Sequence, residues 1–159
     1  MNLHDVNQPL HNALASGNIR LVNKILGSPF YLKGSVVHGN HLGKSLGFPT
    51  ANIEYGPDQS SIIAPGVYAV FIDYSGKVYR GMANIGTRPT VGGKELRTEV
   101  NLFDFEGNLY GKTLVVFFME RLREEKKFPG IEMLVAQIHR DKELANQLLS
   151  HFKDPNSNT

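Results

Sequence analysis

The chain has 159 residues, with 17 Lys and Arg against 15 Asp and Glu, a net charge of +2 and no cysteine. That length suits one domain whose core needs no metal or disulfide to hold it. The scattered, nearly balanced charge excludes a polyanion-binding stripe, and the missing cysteines exclude disulfides, thiolate nucleophiles and Cys-ligated metals.

Residues 1–9 are polar, lack a basic-then-apolar leader pattern and read as a flexible lead. Helical spacing follows at Leu10, Ala13, Leu14, Ile19, Val22, Ile25 and Leu26. Gly17-Asn18 splits it, with Asn18 as N-cap of the second piece, and Gly27-Ser28-Pro29 stops it. Residues 1–28 are therefore expected as a short N-terminal helical appendage, 29–153 as the main domain and 154–159 as a disordered tail. Tyr31–His38 reads as a strand, and the Gly- and Pro-rich segment 39–66 as a long functional loop. Val67–Tyr74 and Lys77–Asn84 flank Ser75-Gly76, a two-residue hairpin signal. Thr98–Phe105 and Lys112–Leu122 flank Glu106-Gly107-Asn108 and read as a second hairpin. Ile131–His151 is helical, with a break expected before Asp141 as a further N-cap.

Two strands are apolar on both faces. Val67, Ala69 and Phe71 alternate with Tyr68, Val70 and Ile72, and Leu114–Met119 has no polar position. A sheet half open to water would alternate polar and apolar residues, so these strands are covered twice. An all-β core of five or six antiparallel strands, closed into a barrel with a C-terminal helix outside, fits this pattern, and an open sandwich is the alternative. The Leu114–Met119 run is far shorter than the roughly 20 residues of a membrane span. A soluble, cytoplasmic chain with no membrane or nucleic-acid partner is expected.

Gly39-Asn40-His41-Leu42-Gly43-Lys44-Ser45 imitates a phosphate-binding P-loop, but it has three residues between its glycines instead of four. Gly47 and Pro49 would also break the helix that motif requires. A glycine-hinged flap whose backbone approaches phosphates fits better, beside the plainer reading of a surface loop. His38 and His41 lack a third ligand nearby, which argues against zinc. In Gly47-Phe48-Pro49-Thr50-Ala51-Asn52, an extended chain puts Thr50 and Asn52 on one side. Their neutral oxygens suit Mg²⁺ beside a triphosphate, and equally suit turn capping. Period two groups Arg97, Glu99, Asn101 and Phe103 against Val100 and Leu102, so Glu99 is either a proton acceptor or an exposed strand carboxylate. Arg121 and Arg123 share a strand face and could flank an anionic or planar ligand.

Together, Gly34–Gly39, Gly43-Lys44-Ser45-Leu46-Gly47-Phe48-Pro49-Thr50-Ala51-Asn52, Gly66–Ala69, Gly81–Thr90, Glu99–Phe105, Leu109-Tyr110-Gly111, Leu122-Arg123 and Lys127-Phe128 strongly resemble the ATP-dependent riboflavin kinase (flavokinase) family, in order from about residue 30 to 150. The resemblance implies a six-stranded antiparallel Greek-key β-barrel with a C-terminal helix. It implies transfer of the γ-phosphoryl of ATP to riboflavin, giving FMN and ADP, with Mg²⁺ as the cofactor and no tightly bound prosthetic group. By the same resemblance Glu99 matches the catalytic base, and Thr50 and Asn52 match the metal and phosphate ligands. Gly39, His41, Gly43, Lys44, Gly47 and Pro49 match the nucleotide flap, and Asn101, Arg121 and Arg123 fall on the flavin side. Asn101 stands where the family often has His. Residues 10–29 look like the end of an adenylyltransferase half, as in bacterial bifunctional FAD synthetases. His38-Gly39-Asn40-His41 is not that half's signature, so this chain is expected to make FMN and not FAD. A non-catalytic flavin-binding barrel is the alternative, and an oligonucleotide-binding barrel is disfavoured by the charge.

Overall fold

The computed structural model describes residues 3–38, 49–55 and 63–155. Two helices, α1 (Leu3–Ser16) and α2 (Ile19–Leu26), precede six strands, and a third helix, α3 (Ile131–Leu149), follows them. The strands are β1 (Phe30–Val37), β2 (Ala51–Glu54), β3 (Gly66–Tyr74), β4 (Lys77–Thr90), β5 (Gly93–Leu102) and β6 (Thr113–Arg123). They close into an antiparallel barrel in the order β1-β2-β5-β4-β3-β6. β3, β4 and β5 form a meander and β6 returns beside β3, which is the Greek-key arrangement.

Strand alternation produces the two coverings that the apolar pattern requires. Tyr68, Val70, Ile72, Leu114, Val116 and Phe118 point into the barrel. Val67, Ala69, Phe71 and Met119 point outward, beneath Ala145 and Leu149 of α3. The β3–β4 hairpin turns through Ser75 (φ 52°) and Gly76 (φ 87°), both left-handed, as a tight two-residue turn demands. The Asp73 carboxylate accepts from the Gly76 N–H at 2.9 Å.

Several local expectations are overturned. Glu106-Gly107-Asn108 does not close a hairpin, because both edges of β5 are taken by β2 and β4 while β6 lies between β1 and β3. The 103–112 segment instead crosses over and is pinned to β1, with Val36 N–H donating to the Lys112 carbonyl and Gly111 N–H to the Val36 carbonyl, each at 2.9 Å. β2 emerges inside the expected 39–66 loop, and β4 and β5 extend to Thr90 and from Gly93 despite the punctuation of Pro89 and Gly92. α1 begins at Leu3 and carries Pro9 within it, so residues 3–9 are helical and not a lead. α3 is unbroken at Asp141, which is no N-cap. Asp141 is buried, and its carboxylate accepts from Arg123 Nε at 3.0 Å and Nη2 at 2.9 Å, and from Gln137 Nε2 at 2.9 Å. A buried carboxylate persists only where paired and hydrogen-bonded in this way. Residues 156–159 of the expected tail lie outside the described residues.

The two N-terminal helices close one end of the barrel. Asn18 caps α2 by accepting from Leu21 N–H at 3.3 Å. Ala13, Leu14, Ile19 and Val22 are buried in the same core as the inward strand residues. Asn23 ties α2 to two strands, donating to the Phe118 carbonyl and accepting from Phe30 N–H, both at 2.8 Å. Arg121 fastens the other corner, donating to the Ser16 carbonyl at 3.3 Å and to the Pro65 carbonyl. Its guanidinium passes between Gly17 (φ 75°) and Gly66 (φ 152°), where a Cβ would stand 2.9 Å and 2.7 Å from Arg121 Nε. Those glycines meet both a left-handed backbone and a close approach. Tyr68 donates to the Ala64 carbonyl at 2.6 Å, and burial pushes its phenol up to about 12 against the lowering charge of Arg121. Among the described residues no helix is long and apolar enough to cross a membrane.

Because Ile19 is fully buried beneath the strands, Ile19→Ala should destabilise helices and barrel together, by about 2–5 kcal/mol. Urea unfolding followed by far-UV and tyrosine signals should show one coincident transition moved to lower denaturant. Separate transitions would show that α1–α2 folds apart from the barrel.

Candidate active site

The site is built on the outer face of the barrel. β5 lies between β2 and β4, and the register makes Glu99 the direct partner of Asn52 on one side and of Asn84 on the other. Direct partners in antiparallel strands share a face, with Cβ atoms about 5 Å apart. The flanking residues Ala51, Ile53, Ala83, Ile85 and Val100 are buried in the barrel core, so Asn52, Glu99 and Asn84 project outward as one rung. The rung continues through Val37 on β1 at one end, and through Val67 on β3 to Arg123 on β6 at the other.

A cleft of about 600 Å³ opens beside the β1–β2 end of the rung. It is lined by Val37, His38, Pro49, Thr50 and Asn52, by Phe105 to Tyr110 of the crossover, and by core residues including Val36 and Val100, with Glu99 next to the lining and not part of it. The His38 and Tyr110 rings stack at 3.8 Å across its edge. Asn108 shapes the crossover by accepting from Tyr110 N–H at 2.9 Å. Asn101 donates from Nδ2 to the Pro49 carbonyl at 2.6 Å and so fixes the backbone entering Thr50.

The electrostatics of the rung are specific. Asn52 is 7% exposed, and its Oδ1 has no hydrogen-bond donor among the described residues. A buried carbonyl oxygen left without a partner, on a residue that lines the cleft, is a candidate acceptor for a donor or a hard cation. Thr50, half-buried on the same cleft wall, adds a neutral hydroxyl. The oxygens that Thr50 and Asn52 offer a cation here are neutral, with the carboxylates of Glu99 beside Asn52 and Glu106 across the cleft as the nearby acids. These donors fit Mg²⁺ carried in with phosphate oxygens, since Mg²⁺ commonly binds through few protein ligands plus substrate phosphates. Glu99 is half-buried, and desolvation raises its carboxyl above the ordinary range, partly offset by the Arg97 guanidinium.

Of the residues singled out from sequence, the structure gathers Pro49, Thr50 and Asn52 on one cleft wall and puts Glu99 beside Asn52. Arg123 lies on the same rung, three strands from Glu99, and Asn101 braces Pro49 from β5. Arg121 is elsewhere, fastening α1 and Pro65. Gly39, His41, Gly43, Lys44 and Gly47 lie outside the described residues. Asn84 and the cleft wall Phe105, Glu106 and Asn108 carry no role that the sequence alone predicts. A local turn signal marked the crossover, but nothing local indicates which strand it faces.

A riboflavin kinase family model matches residues 26–149. The bifunctional riboflavin kinase/FMN adenylyltransferase of Bacillus subtilis is 42% identical over 148 residues, covering 91% of this chain and 46% of that protein. The chain thus spans about half the length of the curated relatives it matches. The crystal structure of riboflavin kinase from Trypanosoma brucei superposes with a TM-score of 0.57 at 26% identity, over 77% of this chain and 80% of that one. A crystal structure from Streptococcus pneumoniae, described as a macrolide-efflux protein, superposes with a TM-score of 0.82 at 38% identity, over 87% of this chain and 45% of its own.

The raised Glu99 carboxyl carries a consequence for stability. Below the ordinary carboxylate range the group is protonated in both folded and unfolded chains and adds no penalty. As pH rises through the raised folded value, the native state must hold a partly desolvated charge and loses stability relative to the unfolded chain. Glu99→Gln should therefore raise Tm at neutral pH, with the gain vanishing in acid. Equal Tm values at neutral pH would contradict the desolvated placement.

Proposed function

The chain belongs to the riboflavin kinase family, and from that premise we propose that it transfers the γ-phosphoryl group of ATP to the 5′-hydroxyl of the riboflavin ribityl chain, giving FMN and ADP. The observation that carries this reading is the direct Asn52–Glu99 pairing. It sets a buried, unpartnered carbonyl oxygen, on a residue lining a cleft of about 600 Å³, beside a partly desolvated acid.

Phosphoryl transfer asks a protein mainly for positioning and charge stabilisation. ATP occupies the cleft of Thr50, Asn52 and the crossover, with the base toward the His38–Tyr110 stack. Thr50 and Asn52 would hold Mg²⁺, which supplies neutralisation of phosphate charge when bound. Glu99 accepts the proton of the riboflavin hydroxyl as its oxygen bonds to the γ-phosphorus and the bond to the ADP oxygen breaks. Burial suits Glu99 to this role, because its neutral, protonated form is the one favoured by desolvation. Asn101 acts at one remove by holding the Pro49 carbonyl. Arg123, with its guanidinium fixed on Asp141, walls the far end of the rung on the flavin side.

Incubation of the chain with riboflavin, ATP and Mg²⁺, followed by chromatography, should yield FMN over many turnovers, and flavin binding without product would overturn the proposal. Glu99→Gln should lower kcat by about 10²–10⁴-fold while leaving nucleotide affinity intact. In the unsubstituted chain kcat/KM should fall on the acid side at a pH above the ordinary carboxylate range, as Glu99 becomes protonated. Asn52→Ala should move the Mg²⁺ titration of activity to higher concentration, and an unmoved titration would remove Asn52 from the metal site.

A further inference from the structure

The rung offers one polar side chain that neither the fold nor the reaction has used. Asn84 on β4 is the direct partner of Glu99, on the side away from Asn52. Ala83 and Ile85 on either side are 0% exposed and point into the barrel, so Asn84 stands on the outer face, in the open. Strands lie about 4.8 Å apart, which puts Asn84 one spacing from Glu99 and two from Asn52. Among the described residues none hydrogen-bonds its amide. Arg123, two strands further along, is the opposite case. Its Nε and Nη2 are on Asp141 and its Nη1 donates to the Glu124 carbonyl at 3.1 Å.

In-line transfer requires the leaving and attacking oxygens on opposite sides of the phosphorus. The cleft lies on the β1–β2 side of Glu99. The attacking alcohol therefore comes from the β4 side, across the exposed Asn84, since the next position on the rung, Val67, is buried beneath α3. A free carboxamide in that path can donate and accept at once, which matches a hydroxyl and not an ionic group. From this placement we infer that Asn84 hydrogen-bonds a hydroxyl of the acceptor's polyol chain adjacent to the one phosphorylated, and so selects which hydroxyl meets Glu99. The inference deepens the proposed kinase reading and rests on it.

The test compares the full chain with Asn84→Ala, using riboflavin and a riboflavin analogue lacking the ribityl hydroxyl next to the reacting one. Asn84→Ala should raise KM for riboflavin about fivefold, the scale of one neutral hydrogen bond, and leave KM for ATP unchanged. The analogue should show a similar rise with the unsubstituted chain and no further rise with Asn84→Ala, because both changes remove one contact. Penalties that simply add, an unchanged riboflavin KM, or an ATP KM that rises in step would each overturn the assignment. FMN production by the unsubstituted chain, measured in parallel, separates the two levels. Turnover without the expected coupling overturns Asn84 alone, whereas no turnover overturns the kinase reading and this inference with it.

Discussion

The register of β5 between β2 and β4 is the constraint on which the candidate site depends. Asn52, Glu99 and Asn84 come from three strands and meet only because those strands pair at these positions. A slip of one residue on β5 would turn Glu99 into the core and bring Thr98 or Val100 outward, since side chains alternate with a period of two. Burial defends the register. Val100 on β5, Ala83 and Ile85 on β4, and Ile53 on β2 all lie in the core, and a slip would exchange them for polar neighbours.

That defence extends to one end of the barrel and to part of its outer face. A small barrel open at an end would leave Leu32, Tyr68 and Phe118 in contact with water. α1 and α2 cover them with Leu14, Ile19 and Val22, and Asn23 and Arg121 fasten the helices by side-chain donors to strand and loop carbonyls. On the outer face α3 covers Val67, Ala69 and Phe71, and its buried Asp141 holds Arg123 at one limit of the rung. One closed sheet therefore supports two surfaces, a filled interior and an exterior carrying the candidate site.

The chemistry itself is spare. In the proposed reaction, two neutral oxygens and one desolvated acid would leave most of the charge to the substrates, which suits a transfer dominated by positioning. The same economy explains why no acidic metal cluster is found among the described residues. It also explains why a side chain as plain as Asn84 becomes significant: in a site with few charges, a correctly placed amide decides orientation.

Much of this was legible along the chain. Apolar residues on both faces of 67–72 and 114–119 implied a closed, twice-covered sheet, Ser75-Gly76 marked a true hairpin, and alternation put Glu99 opposite Val100 and Leu102. The ordered motifs carried the family resemblance, which the comparisons bear out. Other features were illegible for physical reasons. A turn signal such as Glu106-Gly107-Asn108 describes a bend and not the partner of its flanks. The amphipathic helices announced an apolar face without saying that it closes the barrel, and Asp141 looked like a cap because its partner Arg123 is 18 residues away. By itself the sequence determined the alternation, the turns and the residue types available for chemistry, because these depend on neighbours along the chain. Only the tertiary structure decided that Asn52, Glu99 and Asn84 form one rung and that Arg121 fastens α1 to the barrel, because strand pairing and closure join residues that no local interaction connects.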